Sequence, residues 1–289
     1  MSLRKAREFV IEKLILICGL ASILFVALIF IFLIKEGLAV FQTVSPGNFL
    51  FGRSWYPISD PAELGILPLI LGSLVVTLGA AVISVPIGVA CAIYIAEIAP
   101  GKVKEVLKAG IELLAAIPSV VLGFIGMVTL VPWVKSVFHL PTGLTALSGA
   151  IMLAFMAMPT IVSIAEDALY SVPKSYKEGA FALGATHWQT IWRVILPAAS
   201  SGIVAAVMLG IGRVIGETMA VMMITGNSAV IPNSILQPVR TLTATIAAEM
   251  GEAVVGSEHY FALFAIGVVL FIISFIINVG ADMFLHREK

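Results

Sequence analysis

The chain has 289 residues, 60% of them hydrophobic and only 12% charged, with a mean hydropathy of +1.09 and a formal net charge of zero. Soluble domains carry about twice that charged fraction, so this chain lacks the polar side chains needed to cover a water-facing surface. Zero net charge removes bulk attraction to nucleic acid. The two cysteines, Cys18 and Cys91, lie in apolar runs with no C-x-x-C spacing or nearby histidine, and are expected to be small buried hydrophobes rather than a disulfide or metal pair.

At the N-terminus, Arg4, Lys5, Arg7 and Lys13 precede an apolar stretch over 14–34. That stretch exceeds the roughly 7–15 residues of a secretory signal core, and no small-x-small cleavage site follows, so it is read as a transmembrane helix. A spanning helix needs about 20 mostly apolar residues. Five further stretches qualify, at 67–96, 111–134, 144–165, 198–225 and 260–281. The expectation is an all-α integral membrane protein of six transmembrane helices. Pro68, Pro86, Pro118 and Pro159 lie in or near these spans, where neighbouring helices can satisfy the backbone groups that proline frees. Recurring glycines, as at Gly202, Gly210, Gly212 and Gly216, are expected to let helices approach closely.

Two intervening segments are long. Residues 35–66 combine turn formers (Ser45-Pro46-Gly47-Asn48) with Phe49, Phe51, Trp55 and Tyr56, aromatics expected at the membrane–water boundary. Residues 226–258 contain a helical stretch too short and polar to span, expected to dip part-way toward a pore. Each is either a plain connection or a docking surface for an outside partner. Glu97 and Glu112 flank the Lys102–Lys108 turn and are read as salt-bridged surface groups. With the N-terminus inside, twelve Lys and Arg fall in cytoplasmic segments and four (Lys35, Arg53, Lys135 and Arg240) in outer ones, which puts both termini in the cytoplasm. The expected organisation is an N-terminal segment, first helix and outer loop over 1–66, a five-helix core over 67–281 and a cytoplasmic tail over 282–289.

Between the fourth and fifth spans, residues 178–197 read as a short amphipathic helix, a turn at Gly184, a second helix, and Pro197 opening the next span. Glycine at 184 suits the left-handed conformation that ends a helix sharply. The hairpin is either an ordinary surface loop or, given Phe181, Leu183, Trp188, Ile191 and Trp192, an insert for a partner's groove. It resembles the EAA loop of ABC importer permeases, in which Glu-Ala-Ala is followed after three residues by Gly and then by Ile-x-Leu-Pro. The match falls at Glu178, Ala180, Gly184, Leu196 and Pro197, with Gly179 in place of the middle alanine and Val194 in place of the isoleucine. The resemblance implies a type I (MetI-like) permease fold, with the loop at about 170–197 forming a coupling helix that docks on an ATP-hydrolysing subunit. That ATPase is expected to be a separate chain. Phosphate-cradling loops read G-x-x-x-x-G-K-[S/T], and the one Gly-Lys pair here, Gly101-Lys102, is followed by valine.

The fifth span carries Arg213 and Glu217. A charge at bilayer depth costs roughly 2.5–3.5 kcal/mol on insertion scales, so it is expected to face protein or a water-filled path. Spacing i, i+4 allows an ion pair on one helix face. The pair then either neutralises itself or brackets an oxyanion, with Arg213 offering a fork of donors and Glu217 holding it. The stretch from Gly212 through Thr218 to Val221, with Thr225-Gly226-Asn227 and 238–252, resembles the C-type subunit of phosphate-specific ABC permeases. The likeness extends upstream to Ile117-Pro118-Ser119 and Tyr94-Ile95-Ala96-Glu97.

This resemblance implies half of an inorganic phosphate pathway in a prokaryotic cell membrane, with Arg213, Glu217 and Thr218 along it and Arg240, Thr241 and Thr243 as a possible outer gate. The implied partners are a homologous A-type permease, two ATP-binding subunits, an extracytoplasmic phosphate-binding protein and membrane lipid. The alternatives are an importer for molybdate or sulfate, and an ion-coupled secondary transporter. His139, His187, His259 and His286 show no ligand spacing, and no nucleophile–histidine–acid set suggests covalent chemistry. No cofactor, metal or enzymatic role of its own is expected.

Overall fold

In the computed structural model, residues 3–286 are described; Arg287 and Lys289, which contribute to the charge bias, lie outside them. The chain begins with α1 (Leu3–Leu38), a short 3-10 turn (Ala39–Gln42) and α2 (Pro46–Phe51), capped by the Ser45 hydroxyl on the Asn48 N–H. A two-stranded hairpin follows, β1 (Trp55–Tyr56) against β2 (Glu63–Leu64), antiparallel with Trp55 opposite Leu64. Next come α3 (Leu67–Ile93), which runs into a π turn (Tyr94–Ile98), and α4 (Gly101–Ala116), α5 (Ser119–Val128), α6 (Leu130–Val137) and α7 (Ala146–Tyr170). Beyond lie α8 (Lys174–Ala182), α9 (His187–Thr190), a second π turn (Ile191–Ile195), α10 (Leu196–Ala198), α11 (Ser200–Ile215), α12 (Met219–Ile224), α13 (Leu242–Glu249) and α14 (Glu258–His286).

Among the described residues, five continuous helical stretches are long and apolar enough to cross a membrane: 9–42, 67–98, 119–137, 146–170 and 258–280. A sixth candidate is a bent pair, 187–198 and 200–215, whose axes differ by 70°. Two expected spans are corrected. The third begins at Ser119 rather than 111, because 111–116 completes the amphipathic α4, in which no residue is buried, and Pro118 restarts the helix. The fifth is interrupted at 216–218, so α11 and α12 are separate helices.

Small residues set the packing. α3 and α7 lie against each other and α7 against α11; a Cβ built at Gly210 would lie 2.4 Å from Ile161 Cγ1, and one at Gly88 2.9 Å from Ile161 Cγ2. Gly202 is similarly pressed on Ala168, whereas a Cβ at Gly212 would meet open space and one at Gly216 nothing closer than 3.8 Å. α1 packs antiparallel on α14, Phe30 on Phe271 and Phe32 on Phe264. Among the described residues the core falls into three clusters, one holding the hairpin, one the π turn at Ile191–Ile195, and one built on the middle of α3 and α7. Phe49 and Trp55, expected at a membrane boundary, instead fill the core at the hairpin end, while Phe51 and Tyr56 are exposed. Cys18 and Cys91 are exposed rather than buried. In an apolar solvent, an apolar side chain has no need of protein cover.

Candidate substrate path and coupling loop

α11 has two faces. Ala206, Gly210 and Val214 are buried against the core, and Leu209, Arg213 and Gly216 face outward. Counted from Ser200 rather than from Pro197, because of the bend, Arg213 sits roughly 20 Å along the helix at 1.5 Å per residue. Its Nη1 donates to Thr160 Oγ1 at 3.4 Å, on the neighbouring α7. A guanidinium on an outward face at this depth is not stable against lipid tails; the face requires water or another protein.

The expected Arg213–Glu217 ion pair is not formed. The i, i+4 rule holds only along a continuous helix, and the helix ends at Ile215. Glu217 instead turns its Oε1 to the backbone N–H groups of Thr218 (3.2 Å) and Ala220 (3.5 Å), at the start of α12. Carboxylates near helix N-termini are favoured by the unsatisfied N–H groups there. Thr218 donates its hydroxyl to Gly216 O (3.2 Å). Among the described residues, no carboxylate pairs with the Arg213 fork.

The unwound 216–218 segment is held from the side. Thr243 donates to Glu217 O (2.9 Å), Thr241 Oγ1 caps α13 by accepting from Ala244 N (3.2 Å), and Leu242 N donates to Ser73 Oγ on α3 (2.9 Å). Irregular backbone at membrane depth is tolerated where protein supplies such partners. Thr241 and Thr243 are both buried. Arg240 is also engaged, its Nε on Asn227 O (3.0 Å) and its Nη1 on Glu249, whose carboxylate also takes bonds from Trp55 Nε1 (3.1 Å) and His259 Nε2 (2.9 Å). These groups line an open cavity of about 910 Å³ with Tyr56, Asn227 and Glu252.

At the other end, α8 and α9 form the hairpin expected over 178–197. Gly184 has φ +80°. Ala185 N bonds Ala180 O (3.1 Å) and Gly184 N bonds Phe181 O (2.9 Å), a six-to-one and five-to-two pair that closes the helix end. Thr186 and Gln189 then cap α9 reciprocally. Glu178 and Gly179 are exposed and Ala180 is buried; Leu196 is half-buried beside the exposed Pro197.

The sequence reading passed over several groups. Thr160 follows Pro159 in an apolar span, Ser73 lies in α3, and Lys177 lies in α8. Glu97, expected as a salt-bridged surface group, is indeed ion-paired, to Lys177 at 2.6 Å, but its side chain is only 4% exposed. Glu166 on α7 holds both Lys104 (2.9 Å) and Lys108 (2.8 Å) of α4. The carboxylate of Glu166 holds the Lys108 ammonium above its ordinary pKa. Only the charges of such pairs, not their partners, can be read without the fold.

Residues 84–289 match the family model described as binding-protein-dependent transport system inner membrane component. The chain belongs to that family. The permease is 45% identical over 261 residues to the probable ABC transporter permease protein YqgH of Bacillus subtilis, covering 90% of this chain and 84% of that one. It is 36% identical over 259 residues to the phosphate transport system permease protein PstC of Mesorhizobium japonicum, covering 83% and 78%. Among solved structures, the fold matches a bacterial ABC transporter importing alginate (TM-score 0.67, 14% identity, 98% of this chain and 99% of that one) and the inward-facing MetNI methionine ABC transporter (TM-score 0.63, 20% identity, 80% and 100%). The permease therefore has the MetI-like importer fold expected from its EAA loop.

Proposed function

We propose that this permease forms half of an inorganic phosphate pathway, paired with a homologous A-type subunit across the outward face of α11. The observation that carries the reading is Arg213, a membrane-depth guanidinium on that face with no carboxylate partner among the described residues. A planar fork of donors suits a tetrahedral oxyanion, and a site without a counter-carboxylate nearby remains open to an incoming anion. The phosphate transport name of several relatives, 33–36% identical over most of the chain, supports the cargo. Glu217 contributes by closing the start of α12, and Thr218 by bonding the broken backbone, so both shape the path around Arg213.

The α8–α9 hairpin docks on one of two separate ATP-binding subunits through Glu178, Gly179 and Gly184, with Ala180, Leu196 and Pro197 fixing it to the bundle. This end faces the cytoplasm, with both termini, in keeping with the lysine and arginine bias. The 910 Å³ cavity at the opposite end, beside Arg240, receives an extracytoplasmic phosphate-binding protein. Uptake of labelled phosphate by the complete transporter, in competition with sulfate, molybdate and arsenate, tests the cargo. Competition by arsenate alone is expected; equal competition by sulfate or molybdate rejects phosphate specificity.

A further inference from the structure

Lys177 lies on the inward side of α8, one turn before the buried Ala180, while Glu178 and Gly179 between them are exposed. Its ammonium reaches Glu97 Oε1 at 2.6 Å. The Glu97 side chain is only 4% exposed, and that of Lys177 29%. Glu97 is carried by the π turn that ends α3, and such turns re-aim side chains at functional places in helices. The pair thus joins a helix exposed for a partner to a membrane-depth span 80 residues away in sequence. α8 packs chiefly on the elements that follow it, α9 and the π turn at Ile191–Ile195.

From Glu97 the contacts are continuous to the substrate face. α3 meets Ile161 at Gly88, and the same Ile161 fills the notch at Gly210, one turn before Arg213. The neighbouring ion cluster does not duplicate this link, because Glu166 binds Lys104 and Lys108 of α4, not α8. A nearly buried carboxylate separated from its ammonium partner is strongly disfavoured, so α8 cannot shift without either drawing α3 along or exposing Glu97 to water.

We propose that Lys177 and Glu97 are a positioning pair: a strut by which displacement of α8 moves α3, and through Ile161 the helix bearing Arg213. The proposal rests on the reading of α8 as the ATPase-docking helix. Its test uses the complete transporter in proteoliposomes, with ATP hydrolysis and phosphate uptake measured together. Lys177→Gln and Glu97→Gln are each expected to lower phosphate moved per ATP by about fivefold or more, with ATPase subunits still co-purifying. The exchange Lys177→Glu with Glu97→Lys is expected to restore the ratio to within about twofold, a rescue that a merely structural role of either residue alone does not predict.

Wild-type ratios in both single variants overturn the strut, and so does an exchange variant that inserts but stays as uncoupled as the singles. Should a single variant fail to assemble, Lys177→Arg, which keeps the charge, and the exchange decide the matter by the same ratio. Gly184→Val separates the two levels. If it changes neither co-purification nor coupling, the docking reading itself fails; if it uncouples while Lys177→Gln does not, only the strut fails.

Discussion

The two ends of this bundle are held in different ways. At the hairpin end, the backbone from 216 to 241, irregular on both sides of α12, is threaded through protein: Ala146 and Leu147 donate to Gln237 and Ile235, Val239 to Thr225, and Thr243 to Glu217, all within 2.8–2.9 Å. At the loop end, the α8–α9 hairpin carries exposed Leu183, Trp188 and Trp192 and reaches the spans through Ala180, Thr190 and the Lys177–Glu97 ion pair. The first end resists movement because these bonds brace the broken backbone from the neighbouring elements. The second leaves apolar side chains uncovered, as a surface does when a partner completes it. Damage to the first should therefore cost folding, and damage to the second should cost coupling.

The largest stability effect is expected at the packed notch. Gly210→Leu drives carbon into Ile161 and should destabilise the subunit by about 3 kcal/mol, the upper range for overpacking, seen as a lower melting temperature in detergent. Wild-type melting would mean the α7–α11 contact is looser than the close approach implies. Thr243→Val removes the donor from Glu217 O and is expected to cost about 1–2 kcal/mol by the same assay, with uptake falling alongside.

That contrast was only partly legible in the sequence. The first, second, fourth and sixth spans, the glycine packing at Gly202 and Gly210, and the left-handed turn at Gly184 follow from local rules, and the structure bears them out. The Arg213–Glu217 pair does not form, because spacing assumes an unbroken helix and nothing between 210 and 219 announces a break except Gly216. Residues 111–116 looked like part of a span by composition, although Pro118 marked the restart. The bonds of Thr243 and Ser73 join residues far apart in the chain, which periodicity does not reveal.

Smaller effects belong to the loop end. Gly184→Val forces a β-branched residue to positive φ, at a cost of about 1–2 kcal/mol, and should weaken ATPase co-purification while leaving membrane insertion intact. Normal co-purification would erase the distinction between the ends. The smallest effect concerns α4. Because Lys108 titrates above its usual value of 10.5, its bond to Glu166 contributes below that pH and is lost as pH rises through the raised value. The bond is half-exposed, so at most about 1 kcal/mol is at stake. Hydrogen exchange of α4 amides should quicken above about pH 10.5, beyond the intrinsic rise, in wild type but not in a Lys104→Met, Lys108→Met variant, whose tether is already absent.

The outward face of α11 remains the centre of the account. Phosphate uptake by the complete, correctly inserted transporter carrying Arg213→Ala tests it most directly. A charge-assisted hydrogen bond is worth about 1.5–3 kcal/mol, so uptake should fall by roughly tenfold or more, with Arg213→Lys between the two. Wild-type uptake by the Arg213→Ala transporter would contradict the assignment of this face to the substrate path.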